Sequence, residues 1–171
     1  MLNNKKTFDV LTPLSKTHRV SRHIATTDGT NPITLVTEPG LWVQNTAEGV
    51  TSKSVTALSG LSMIGLSSAT DNPYESNDIE VGYISTLREP GVRVIVGLDF
   101  LDNTYAGGPL WNETAGEFDS WAIVPGEWLT VLSSGKLGKA GSGDFANAIV
   151  DDLNKNGTLT YIITDGMSIK A

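Results

Sequence analysis

"NAIVDDLNKNGTLTYIIT", residues 147–164, admits two readings, and the choice between them decides the fold. Asn156-Gly157 stands between two runs that favour strands, Ala148-Ile149-Val150 and Thr158 to Thr164. An Asn-Gly pair in that setting is a strong hairpin signal, because both residues tolerate the positive φ that a tight turn demands. Against this, Phe145, Ile149 and Leu153 recur every four residues and would share one face of a short helix starting after Ser142 or Asp144. The two flanking runs both prefer the extended state, so the hairpin is the expected form.

Immediately upstream lies "GEWLTVLSSGKLGKAGSGD", residues 126–144, which imitates a phosphate-cradling loop. That chemistry needs a glycine, four residues, then Gly-Lys-Ser/Thr opening a helix, so that the lysine meets phosphate and the hydroxyl meets magnesium. Gly135-Lys136 supplies only the middle: Thr130 stands where the first glycine belongs, Leu137 replaces the hydroxyl, and "LGKAGSG" is too rich in glycine to begin a helix. Gly138, Gly141 and Gly143 also have the dinucleotide spacing reversed. A hairpin explains the stretch better, with "SSGK" at its tip. Its pattern is repeated nineteen residues earlier: Gly107 matches Gly126, Leu110 matches Leu129, Gly116 matches Gly135 and Phe118 matches Leu137. Two copies are a hairpin unit used twice rather than a solenoid. Glycine-rich hairpins also resemble one another by chance, and that alternative stays open.

Further upstream, "IEVGYISTL" and "VRVIVGLDF" are expected strands joined by a hairpin turn at Glu89-Pro90-Gly91. In the second, Val92, Val94 and Val96 face one way and Arg93, Ile95 and Gly97 the other. Around Pro39-Gly40, Trp42 and Gln44 alternate with Leu41 and Val43 across a short strand. Eighteen glycines and seven prolines supply the turns of an all-β, or β-rich α+β, chain: a small barrel or sandwich body built from hairpins.

The net charge of −7 is unevenly placed. Residues 1–30 hold five bases, Lys5, Lys6, Lys16, Arg19 and Arg22, against two acids, net +3; the rest holds seven bases and seventeen acids, net −10. Residues 1–35 are therefore expected as an extended basic arm and 36–171 as the β-rich body. The arm is either a frayed terminus or a segment that orders against an acidic partner. An acidic body repels phosphates, which argues against nucleic acid, and no stretch is apolar enough to span a bilayer. Cysteine is absent, so disulfides and thiolate metal sites are excluded.

Other chemistry finds few residues to work with. Asp152, Asn154, Asn156 and Gly157 imitate the start of a calcium loop, but its twelfth position is Ile163, where a bidentate glutamate belongs. The two histidines, His18 and His23, both fall in the arm, a poor platform for a metal or a catalytic base. Asp99 with Asp102, or Glu113 with Glu117 and Asp119, are carboxylate groupings suited to a glycosidase; Trp42, Trp111, Trp121 and Trp128 are candidate sugar-stacking platforms. The opposing reading places the acids on a soluble surface and the tryptophans in a core or interface.

Three segments carry a family resemblance: "NPYESNDIEVGYISTLREPGVRVIVGL" (72–98), "YAGGPLWNETAGEF" (105–118) and "VPGEWLTVLSSGKLGKAGSGDFANAIVDDLNKNGTLTYI" (124–162). From about residue 38 onward the chain resembles virion structural proteins of tailed bacteriophages, most of all the small head decoration, or capsid cement, proteins. The resemblance implies no enzymatic activity and no cofactor, and the residues themselves give no expected metal site. It implies a partner in the major capsid protein lattice, self-association of the trimeric kind, and a place on the outer capsid surface of a virion made in the host cytoplasm. It further implies that Lys5, Lys6, Lys16, Arg19 and Arg22 form a capsid-docking arm, and that Trp42, Trp111 and Trp128 are contact aromatics. A tail, baseplate or fibre component is the nearest alternative; a carbohydrate-binding β-module is the alternative from another class.

Overall fold

The computed structural model describes residues 4–13, 16–17, 20–23, 38–47, 49–51, 61–64, 83–103 and 109–168. The fold is all-β. The strands are β1 (Phe8–Val10), β2 (Val20–His23), β3 (Trp42–Thr46), β4 (Gly49–Thr51), β5 (Leu61–Ile64), β6 (Tyr83–Leu87) and β7 (Arg93–Gly97). They continue as β8 (Trp111–Asn112), β9 (Glu117–Phe118), β10 (Trp128–Val131), β11 (Leu137–Lys139), β12 (Phe145–Leu153) and β13 (Thr158–Ser168). A six-stranded sheet runs β1-β7-β13-β12-β10-β11, a five-stranded sheet runs β2-β6-β5-β3-β4, and β8 pairs with β9 alone. Every paired strand is antiparallel. A parallel bridge, Leu101 to Leu137, ties the exit of β7 to edge strand β11.

The long hairpin β12–β13 is the centre of the larger sheet, and Asn156-Gly157 forms its turn as expected, with Gly157 at φ +82°. The helix alternative for 145–153 is not adopted; those residues are strand. Two bulges interrupt the pairing, between Ala146 and Ala148 and between Val150 and Asp152. In the second the extra residue is Asp151 on β12; in the first the excess is on β13, where Thr164, Asp165 and Gly166 lie across from Asn147 alone. Asn147 is buried, and its Oδ1 accepts the Val131 backbone N–H at 3.1 Å, just where the β10–β12 ladder stops. Asp151 reaches past β13 to the Arg93 guanidinium on β7, 2.6 Å away. A bulge re-aims a side chain that regular pleating would send elsewhere.

Val92, Val94 and Val96 are buried while Arg93 is exposed and Ile95 partly so, matching the period-two expectation. The pairing of that strand does not match. Glu89-Pro90-Gly91 does turn the chain, with Gly91 at φ +88°, but β6 and β7 lie in different sheets. The turn is a crossing between sheets, not a hairpin. Leu41, Trp42 and Val43 are all buried, so the expected alternation there is replaced by cover on both faces.

Both copies of the nineteen-residue unit are hairpins, β8–β9 and β10–β11, with Gly116 and Gly135 in the left-handed region at matched positions. Their registers differ by one residue: Trp111 faces Phe118, whereas their equivalents would be Thr130 and Leu137, and Leu137 faces Val131 instead. One hydrophobic core joins the two larger sheets. Leu41, Trp42, Val43, Val50, Leu61 and Leu87 cluster with Val94, Val96, Leu129, Val131, Leu159, Tyr161 and Ile163.

The N-terminal segment is built into this framework. β1 is the edge strand beside β7, and β2 pairs with β6 in the other sheet. Around β1, Gly97 donates to Thr7 O, Asp99 to Lys5 O, and Leu11 to Arg93 O at 2.8–2.9 Å. Phe8 packs against Phe100, ring centres 6.0 Å apart. A β carbon on Gly97 would collide with the carbonyls of Asn4 and Lys5, so glycine permits the strand to lie this close. Within the expected arm, Phe8–Val10 and Val20–His23 are strands of the body, and Asn4–Lys6 form a turn.

Candidate functional site

The glycine-rich tip around Gly135-Lys136 is a tight turn between β10 and β11. Leu132 N–H donates to Lys136 O and Gly135 N–H to Leu132 O, both at 2.9 Å, closing a tight turn. Gly135 adopts φ +82°, and a β carbon there would stand 2.8 Å from Trp42 O. Trp42 N–H donates to Gly135 O at 2.8 Å. The glycine therefore serves the docking of this tip onto β3, and its amide is spent within the turn.

Beside the tip opens a groove of about 400 Å³, lined by Lys5, Asp99, Asp102, Asn103, Glu113, Ser134 and Lys136 over Leu98 and Leu101. It gathers Lys136 from the glycine-rich tip, Lys5 from the basic arm, the Asp99–Asp102 grouping and Glu113 alone of the other carboxylate grouping, since Glu117 and Asp119 do not line it. Charges of both signs line it, and Lys5 Nζ already meets Glu113 Oε1 at 3.5 Å. Both side chains are well exposed, so that pair contributes little to stability. Among the described residues, no three His, Asp or Glu side chains are placed to hold a metal ion. At the calcium-like turn, Asn156 Oδ1 accepts from Thr158 N–H and Oγ1, and Asn154 Nδ2 donates to Thr158 Oγ1. Those amides hold the hairpin.

The tryptophans divide sharply. Trp42 and Trp111 are buried at 3% and 2% exposure, which removes both from the expected contact aromatics. Trp111 stands edge-on to Phe118, ring centres 5.1 Å apart, and its indole nitrogen has no hydrogen-bond partner among the described residues. Burying either ring stabilises the chain more than displaying it, because each removes a large apolar area from water. Trp128 is half-buried. Trp121, grouped in the sequence only with the sugar-stacking candidates, is 92% exposed.

A well-tied loop presents Trp121. Asp119 Oδ1 accepts the Trp121 N–H, Asp119 O accepts the N–H groups of Ala122 and Ile123, and Asp119 N–H donates to Leu110 O, all at 2.9 Å. Ile123 is driven into the core at 1% exposure, and Gly126 N–H donates to Val150 O at 2.8 Å where the loop rejoins the sheet. Val124 is also exposed. The legible signal for this was Asp119-Ser120, a turn-forming pair that takes the next residue out of strand geometry.

Compared with family models, with curated proteins and with solved structures, the chain matches none.

Of the expected docking cations, Lys6 and Lys16 are exposed, Lys5 is half-exposed beside Glu113, and Arg22 lies in β2 with its backbone opposite Ile84. Arg19 falls outside the described residues, as does His18; His23 lies opposite Tyr83. Arg93 and Lys139, cations of the body, are paired with Asp151 and Glu127.

Proposed function

We propose that this chain is a non-enzymatic virion structural protein that binds the outside of a phage capsid and stabilises the shell. The observation that carries the reading is the state of the basic N-terminal segment. Its strand Phe8–Val10 is joined to the body along a sheet edge by main-chain bonds, and Lys6 and Lys16 stand in water. A fixed cationic strip on an otherwise acidic body suits an acidic protein surface and gives orientation as well as attraction. The polar groups weighed for chemistry support the same reading from the other side: Asp119, Asn154, Asn156 and the Gly135 amide are engaged in holding turns. Self-association, trimeric by resemblance, belongs to the proposal, and light scattering on the purified chain measures it.

The test is co-sedimentation with shells assembled without this protein. Saturable pelleting is expected, weakened by Lys6→Glu with Lys16→Glu and by added salt. Pelleting at background level rejects the proposal. Charge reversal is a cleaner perturbation than deleting residues 1–30, because deletion also strips β1 and Phe8 from the body.

A second reading, a carbohydrate-binding module, is favoured by one observation, the exposure of Trp121. Its other tryptophan candidates are weakened by the burial of Trp42 and Trp111. A glycan array with wild type and Trp121→Ala decides it.

A further inference from the structure

Between Arg93 and Lys136 the chain holds six acids and no Lys, Arg or His; Glu113 and Glu127 pair with Lys5 and Lys139, Asp99 and Asp102 share the groove with Lys5 and Lys136, and Glu117 and Asp119 are the acids closest in sequence to Trp121. Trp121 and Val124 project from the middle of this stretch, and the tryptophan is almost wholly in water. An indole ring left in water forgoes a large favourable burial, and folding does not require it: Ile123, two residues on, is the side chain that anchors the loop. The loop is held at both ends by backbone bonds, so the ring is presented from a braced support. Tryptophan in such a position is the residue type most enriched among binding hot spots.

We propose that Trp121, flanked by Val124, is the anchor by which the body docks into an apolar recess rimmed by Lys or Arg on the coat subunit. This rests on the capsid-binding reading and names the chemistry of the second contact, distinct from the cationic strip. Charge complementarity selects the occupant. Glu117 and Asp119, the acids flanking the loop, disfavour nucleic acid and anionic lipid, whereas a basic rim is attracted by them and places cations over the indole face. A sugar platform needs polar groups free beside the ring, and one of its neighbours in sequence, Asp119, already accepts the Trp121 N–H through Oδ1. The two contacts have opposite charge demands, so together they fix the orientation of the protein on the shell. One indole is a small contact, but on a repeating lattice with a second site it gains by avidity.

The test titrates wild type, Trp121→Ala, Trp121→Phe and Glu117→Lys onto shells assembled without this protein, with circular dichroism confirming each fold. Acrylamide quenching of tryptophan fluorescence is followed during binding. Docking is expected to shield one tryptophan from quencher. Trp121→Ala is expected to weaken binding more than tenfold, with Trp121→Phe retaining most of it and Glu117→Lys weakening it only at low salt. Wild-type binding that Trp121→Ala leaves unchanged, or that leaves quenching unaltered, overturns the anchor while sparing the capsid reading. No wild-type binding overturns both. Glycan binding abolished by Trp121→Ala reassigns the ring to sugar and likewise overturns the anchor.

Discussion

Gly135→Ala, set against Gly126→Ala, isolates the docking of the β10–β11 tip onto β3. Both glycines have positive φ, +82° and +92°, so each alanine carries the left-handed penalty of about 1–2 kcal/mol. At Gly126 nothing lies within 4 Å of the new β carbon, and the cost stops there. At Gly135 the methyl group would stand 2.8 Å from Trp42 O, and the tip must retreat. Retreat stretches the Trp42 N–H to Gly135 O bond, at a net loss of about 0.5–1.5 kcal/mol, and loosens the packing beneath Leu41. Gly135→Ala should therefore destabilise by about 2–4 kcal/mol, exceeding Gly126→Ala by at least about 1 kcal/mol. Urea unfolding followed by far-ultraviolet circular dichroism measures both, the difference appearing in the midpoint at a common slope. Equal losses at the two positions would refute the docking, and with it the claim that this glycine serves packing between the sheets.

Other outcomes follow from the same packing. Asn147→Ala removes the Oδ1 that accepts the Val131 N–H and should cost about 1–3 kcal/mol in the same unfolding assay; a cost below about 0.5 kcal/mol would mean that this bond does not hold the end of the β10–β12 ladder. Tyr161 is fully buried, and desolvation pushes its phenol well above the ordinary 10.0, opposed in part by the Trp42 indole N–H. The unfolded chain releases that proton near pH 10 while the folded chain keeps it, so stability should fall as pH rises above 10, by up to about 1.4 kcal/mol per pH unit for this group. Tyr161→Phe should flatten that fall, and parallel curves for the two proteins would exclude the effect. Arg93→Ala should cost under about 1 kcal/mol, since both partners of the Arg93–Asp151 pair keep a good part of their side chains in water; a loss above about 2 kcal/mol would show that the bulge depends on the pair.

What the sequence made legible was local. Asn156-Gly157 specified its own hairpin because the turn chemistry sits in two adjacent residues and both flanks are strand formers. Glu89-Pro90-Gly91 was equally clear as a turn, yet turn chemistry sets only how the chain bends. Which strand lies beside β7 was decided by distant partners, β1 and β13, whose pairing no short window contains. Leu41, Trp42 and Val43 lost their alternation for a similar reason: the β10–β11 tip covers a backbone whose sequence suggested one wet face. At the candidate site, the basic residues could be read as a cluster but not as an edge strand, because Phe8–Val10 is too short to announce itself. Composition ranks tryptophans alike. Only the placement of Ile123 in the core and Asp119 beneath the turn separates the displayed Trp121 from the buried Trp42 and Trp111.

The capsid-decoration proposal meets its most direct test in electron microscopy of shells prepared with and without this protein. Added density over the coat subunits on the outer surface, repeated with the lattice and lost with Lys6→Glu and Lys16→Glu, is the expected result. Shells indistinguishable in the two preparations, or density confined to a tail or baseplate, would contradict it.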